Sequence, residues 1–277
     1  MEEIRDQKMS PEEYRQRKQQ EREEVFDLLS QSTQTLLKPE ELQQYLDLQS
    51  RFLQFSASNV LLIKAQNLEA SWLRTFDEWK QDNVSVNRGE AGMKVMESSF
   101  YQKEDGSMGR SMKVIRLFDL AQTNAAGRKI SMPSNRNVEE YLAEAVRIPV
   151  ERIDSLPEGE QARWDPGDNC IYVRSDLTTQ QAFPYIAREA ACMELAGHSK
   201  EREDVLPYAE CAAYMLSKHY GLEPVTPDLQ RITESFPGME EKEVRSQLQD
   251  TKHAAEIVDA RIMEARQRDR DDREAER

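Results

Sequence analysis

A chain of 277 residues with 38% hydrophobic residues and a formal net charge of −14 can build one or two modest cores, and that acidic balance opposes bulk attraction to nucleic acid. No apolar run approaches the roughly eighteen residues of a membrane-spanning helix, and Met1 to Asp6 lacks the basic and apolar regions of a signal peptide, so no membrane association and a cytoplasmic location are expected. Three cysteines, Cys170, Cys192 and Cys211, lack CxxC spacing and read as small buried hydrophobes rather than as a disulfide framework or a zinc ribbon.

Ser10-Pro11-Glu12-Glu13 is a capping box with proline at the first helical position, so a helix begins there. Residues 1–24 read as a charged helical arm, with a DNA contact through Arg15, Arg17, Lys18 and Arg22 as the alternative. Val25, Phe26, Leu28 and Leu29 then supply an apolar patch. From Pro39, Leu42, Tyr45, Leu46, Phe52 and Leu53 recur at helical spacing, and residues 58–66 form a more apolar helix expected to pack on the first. Thr75-Phe76-Asp77-Glu78 is a second capping box, opening a short helix that carries Trp79. The period then changes. After a glycine-containing turn at 87–92, residues 93–96 and 112–118 read as strands joined by a turn at 104–107.

Phe55-Ser56, Asn59, residues 61–63, Thr75-Phe76, Trp79, Val86, Arg88-Gly89-Glu90, residues 92–95 and residues 118–123 occur in an order and spacing that resembles the N-terminal domain of ArdC-type antirestriction proteins, over residues 25–125. The resemblance implies a domain that binds single-stranded DNA, carriage on a mobile genetic element, and a zinc peptidase-like domain downstream. The residues themselves lend this part of their weight. Between Lys80 and Lys129 nine basic residues face six acidic ones, so the segment is net positive by three. Aromatic residues stand beside those charges, which is how sequence-tolerant binding of single strands is built. The candidate contacts are Arg88, Lys94, Lys103, Arg110, Lys113, Arg116, Tyr101 and Trp79, with Phe100 and Trp72 as further stacking faces. The alternative is that both tryptophans are core and the basic residues a solvated hairpin.

Residues 126–136, with glycine, proline and serine and no periodicity, read as a linker. Residues 137–236 then read as a helix that Asn137 can cap, strands at 148–153 and 170–173 around a turn at 164–169, and two helices ending at Gly197 and Gly221. That is the element order of a small zincin scaffold. A peptidase of the HExxH type places histidines at i and i+4 on one helix, glutamate between them as general base, and a third ligand on a following helix. Here Glu189 stands at the base position and Glu210 at the third-ligand position, but Arg188 and Cys192 stand where the histidines belong. Arginine stays protonated and has no lone pair for a metal. A degenerate zincin-like domain without metal, cofactor or catalysis, a pseudo-metallopeptidase, is therefore expected. Replacement ligands would have to come from Cys192, Glu210, His198 and His219, and His219 lies about 13.5 Å past Glu210 along the same helix. Without metal, two carboxylates in one cleft call for a cation, so an Arg188 to Glu210 pair is expected, with Arg188 facing solvent as the alternative.

Residues 237–277 carry Val244, Leu248, Ala255, Val258 and Ile262 as one stripe of a long helix, followed after Ala265 by a charged tail, helical or disordered. The expected fold is α+β: an N-terminal helical and β-hairpin domain, a zincin-like domain and a long C-terminal helix. The expected function is that of an antirestriction-like, single-stranded DNA-binding protein with an inactive peptidase-like domain. Two alternatives remain open: an active metallopeptidase with displaced ligands, and a DNA mimic or interaction protein that docks a protein partner through its acidic surface or C-terminal helix.

Overall fold

The first helix starts where its capping box places it. In the computed structural model, which describes residues 10–103, 106–129, 134, 136–197 and 199–275 without the side chains of Arg110 and Glu158, α1 spans Pro11–Thr35. Glu13 N–H donates to Ser10 Oγ at 3.2 Å and Ser10 N–H to Glu13 Oε2 at 2.7 Å, so two otherwise orphaned donors are satisfied. The α+β chain divides into two compact units, residues 1–35 with 58–130 and residues 36–57 with 131–277. Of the next helices, α2 (Pro39–Arg51) belongs to the second unit and α3 (Ala57–Gln66), from Ser58 on, to the first. The two helices expected to pack on one another are thus divided between the units.

The first unit holds an antiparallel sheet of β1 (Leu73–Thr75), β2 (Met93–Gln102) and β3 (Met108–Asp119) in the order β1-β3-β2. The hairpin runs from Met93 opposite Leu117 to Gln102 opposite Met108, well beyond the expected 93–96 and 112–118. Apolar alternation stops at Met96, but the ladder is made by backbone groups that pair whatever the side chain, so Ser98 and Ser99 remain strand. Of the turn expected at 104–107, residues 104 and 105 lie outside the described residues. β2 is an edge strand, and α3 covers it with side-chain amides. Asn59 bonds Met96 N–H and C=O at 3.0 and 2.9 Å, and Gln66 bonds Lys94 N–H and C=O at 2.8 and 2.9 Å. The Thr75–Glu78 box forms at the start of α4 (Phe76–Gln81). Beneath it Trp79, Val84, Leu120 and Ala125 make a core, with Trp72 and Phe118 packed on it.

The second unit contains α5 (Val138–Ala145), β4 (Val150–Ile153), β5 (Ala162–Asp165), β6 (Cys170–Arg174), α6 (Thr179–Ala196), α7 (Arg202–His219), α8 (Leu229–Glu234) and α9 (Glu241–Ala275). Its sheet has the order β4-β6-β5, with β4 parallel and β5 antiparallel to the central strand. The sequence reading has no counterpart for β5, because Arg163 and Asp165 interrupt any apolar run. Asn137 does not cap α5 through its side chain: its backbone is left-handed, at φ 53°, and no side-chain bond reaches the helix. Gly197 and Gly221 do end their helices at positive φ, 54° and 65°. The apolar stripe of α9 buries Val244, Leu248, Val258 and Ile262 against α5, α6 and α7, and the charged tail stays helical to Ala275. Gln43 and Asp47 of α2 both bond Tyr214 Oη of α7, at 2.6 and 2.7 Å. No helix among the described residues is long and apolar enough to cross a membrane.

Candidate functional site

In the second unit α6 packs on α7 and on β5, and these three elements converge on Glu189, whose side chain is fully buried. Arg202, in the first turn of α7, meets it with a two-pronged grip, Nε to Oε2 at 2.7 Å and Nη2 to Oε1 at 2.8 Å. Arg188 adds Nε to Oε1 at 2.8 Å, and the Trp164 backbone N–H donates to Oε2 at 2.9 Å. Burial by itself would push the Glu189 carboxyl up. The Arg202 hydrogen bond, the charges of Arg188 and Arg202, and the Trp164 N–H outweigh it and hold the group below the usual carboxylate range.

The expected Arg188 to Glu210 pair does not form. Arg188 spends its guanidinium on Glu189 and on the Ala162 carbonyl, at 2.7 Å from Nη2, because the buried carboxylate beside it has the greater need of a cation. Glu210 is half-buried; burial raises its pKa, opposed by the nearby Arg188 charge and a hydrogen bond from the Asp228 backbone. Sequence reasoning missed Arg202. Its one signal was position, since a cation in the first turn of a helix opposes the helix dipole and needs an anion to hold it there.

The same contacts consume the open edge of the sheet. β5 is an edge strand, and two of its backbone groups, the Ala162 C=O and the Trp164 N–H, bond Arg188 and Glu189. They are not available to an added peptide strand.

A divalent metal does not fit these residues. Both oxygens of Glu189 are taken, guanidiniums offer no lone pair, and burial pushes the Cys192 thiol up and so keeps it protonated. No group of three His, Cys, Asp or Glu among the described residues is placed to hold a metal. His219, at the far end of α7, bonds the Ser50 carbonyl at 2.9 Å and faces Asp259 at 3.9 Å. His198 lies outside the described residues.

The candidate DNA contacts of the first unit are brought together in part. Lys94 and Arg116 lie opposite each other across β2 and β3, and α1 pairs with both, Glu24 to Lys94 and Glu21 to Arg116, each at 2.9 Å. Lys113 pairs with Glu97 across the strands at 2.6 Å. Farther out, Phe100 is 68% and Tyr101 50% exposed, and Lys103 stands in water beyond them. Arg88 is exposed in the turn ahead of β2, and the side chain of Arg110, a β3 residue, lies outside the described residues. Trp79 offers no stacking face. It is 2% exposed, packs on Trp72, and its Nε1 donates to the Phe118 carbonyl at 2.9 Å, so its ring belongs to the core. The placement of two further groups is legible only in three dimensions, Arg22 having been the arm's alternative DNA contact in the sequence. Phe26 and Arg22 of α1 line a groove with Ser99, Tyr101 and Met112, and a Cβ at Gly109 would lie 2.5 Å from Cζ of Tyr101, so the tyrosine ring rests against the glycine.

Residues 15–149 match the family described as the N-terminal domain of the anti-restriction factor ArdC. The chain belongs to the ArdC-type antirestriction family. The likeness of ArdC structures reaches beyond that domain. The crystal structure of the metal-free antirestriction ArdC protein from plasmid R388 is similar with a TM-score of 0.60, covering 86% of this chain and 98% of that one at 15% identity. The Mn(II)-bound structure of that ArdC protein is similar with a TM-score of 0.51, covering 75% and 85% at 17% identity. At such identities the likeness speaks for the fold alone. No curated protein matches the sequence. The ArdC segment runs from α1 through α5 and stops before β4, so the hairpin lies inside it and Glu189 outside.

Proposed function

We propose that this ArdC-type protein serves a mobile element by binding single-stranded DNA along the outer half of the β2–β3 hairpin, while its second unit is a peptidase-like scaffold without peptidase chemistry. The observation that carries the reading is the pair Phe100 and Tyr101, exposed at the end of a long hairpin with the exposed Lys103 just beyond them. Large aromatic faces held in water beside cations match the demands of a single strand, whose bases are free to stack and whose phosphates need neutralising. A duplex hides its base faces and makes no such use of them. The second half of the reading is supported by Glu189: a general base of this type acts on metal-bound water with a free carboxylate, and here the carboxylate is bonded on both oxygens.

Fluorescence anisotropy tests the first half, with a labelled thymidine oligonucleotide and a labelled duplex over a range of salt. Single strands are expected to bind more tightly than duplex, with affinity falling as salt rises, and Phe100→Ala with Tyr101→Ala is expected to weaken them. A double variant that binds like the parent would move the site elsewhere. For the second half, casein incubated with the protein and zinc or manganese is expected to stay intact; cleavage abolished by Glu189→Gln would show an active peptidase.

A further inference from the structure

Along α9, Arg266, Arg270 and Arg273 recur at spacings of four and three residues and therefore share one helix face. With Arg136, Asn137 and Tyr141 they line a cleft of ≈ 240 Å³, below the roughly 300 Å³ where pockets for whole organic ligands begin. Four guanidiniums here oppose one carboxylate, Asp269, in a chain whose net charge is −14. That carboxylate is already satisfied, by Tyr141 Oη at 2.7 Å and Arg273 Nε at 3.0 Å. Nor do the neighbouring charges cancel the surplus, because Arg268 and Glu144 pair at 2.8 Å, and Arg147 and Glu264 at 3.2 Å. Arg266 is fixed in place between the rings of Tyr141 and Tyr220, at 5.5 and 5.8 Å from their centres, with Nη2 on the Ser134 carbonyl at 2.6 Å. Arg136 and Arg270 have no ion pair among the described residues, which leaves two planar forks open to an oxyanion.

We infer that this cleft binds a phosphate group, carried on the backbone of a nucleic-acid strand. It holds no aromatic face free for a base, since Arg266 covers both tyrosine rings, so it reads charge and geometry and not sequence. The oxyanion site rests on the second unit alone, whereas the strand as carrier of the phosphate rests on the single-strand reading above.

The test uses the full chain. Anisotropy of a labelled thymidine oligonucleotide is followed across salt for the parent, for Arg136→Gln with Arg270→Gln, and for Arg147→Gln with Arg268→Gln, which removes equal charge from arginines already paired. The first double variant should lower the slope of log affinity against log salt by about 0.7, the share of the one single-strand phosphate that the cleft binds, and the second should leave it. Phe100→Ala with Tyr101→Ala reads the hairpin: affinity falls at every salt and the slope holds. A parallel arm records the phosphorus NMR line of inorganic phosphate, expected to broaden with the parent and to stay sharp with Arg136→Gln and Arg270→Gln. An unchanged slope with the phosphate response lost would assign the cleft to free phosphate and overturn the strand. An unchanged slope with the phosphate line unaffected by the substitutions, or equal losses in both double variants, would overturn the site altogether.

Discussion

Two regions of this protein gather the residue types of a functional site, and they use them in opposite ways. Around Glu189 both carboxylate oxygens are bonded within the chain, and Arg202 and the adjoining β5 backbone groups are taken up by the same contacts. At the outer end of the β2–β3 hairpin Phe100, Tyr101 and Lys103 stand in water. The difference teaches that charge and residue type nominate a site, whereas burial and pairing separate a charge that supports the fold from one that can receive a ligand. The base of the hairpin lies between the two extremes, where Lys94 and Arg116 are exposed in part and already paired with α1.

The sharpest way to break the comparison is to remove the clamp. Arg202→Met leaves a buried carboxylate without its two-pronged partner and is expected to cost on the order of 3–5 kcal/mol in urea unfolding. Arg188→Ala should cost less, since Arg202 remains. Adding Glu189→Gln to Arg202→Met should recover part of the loss, and a double-mutant cycle reads that coupling; strictly additive losses would show that the two side chains do not interact.

The acid limb of stability follows from the same carboxylate. The folded-state pKa of Glu189 lies below its unfolded value, so its stabilisation is fully present above the unfolded pKa, about 4.3, and is lost as pH falls from there through the folded pKa. Melting midpoints of the parent should drop in that window, and Glu189→Gln should flatten the drop. An identical acid limb in both proteins would remove the clamp from the account.

Substitutions at the hairpin end should leave stability alone and reach function. Each base stacked on Phe100 or Tyr101 is worth about 1–3 kcal/mol, so Phe100→Ala with Tyr101→Ala should weaken a thymidine oligonucleotide tenfold or more with an unchanged melting midpoint. Gly109→Ala, which pushes the Tyr101 ring off its seat, should act in the same direction and more weakly; full affinity in that variant would show that the seat of the ring is immaterial. The smallest effect is expected from Lys94→Gln. Its pair with Glu24 is exposed, so unfolding free energy should change by less than about 1 kcal/mol, and a larger change would move Lys94 to the structural side of the comparison.

Much of the local structure was legible because it is satisfied locally. The capping boxes at Ser10 and Thr75 close within four residues, the stripe on α9 repeats at helical spacing, and glycine ends α6. Asn137 is the local exception, because its backbone turned left-handed and took the side chain out of capping reach. The sequence by itself also determined that the chain carries no HExxH stretch, since Arg188 and Cys192 stand at that motif's histidine spacing around Glu189. The tertiary structure alone decided which cation meets Glu189, that β5 forms although its own residues do not announce a strand, and that Trp79 belongs to the core rather than to a binding face. Two of these depend on groups farther along the chain, Arg202 on α7 and the Phe118 carbonyl that Trp79 bonds, while β5 is held between the neighbouring β6 and the Arg188 and Glu189 side chains of α6. Pairing and burial between separated segments are set by packing, and no short-range pattern of residues carries that information.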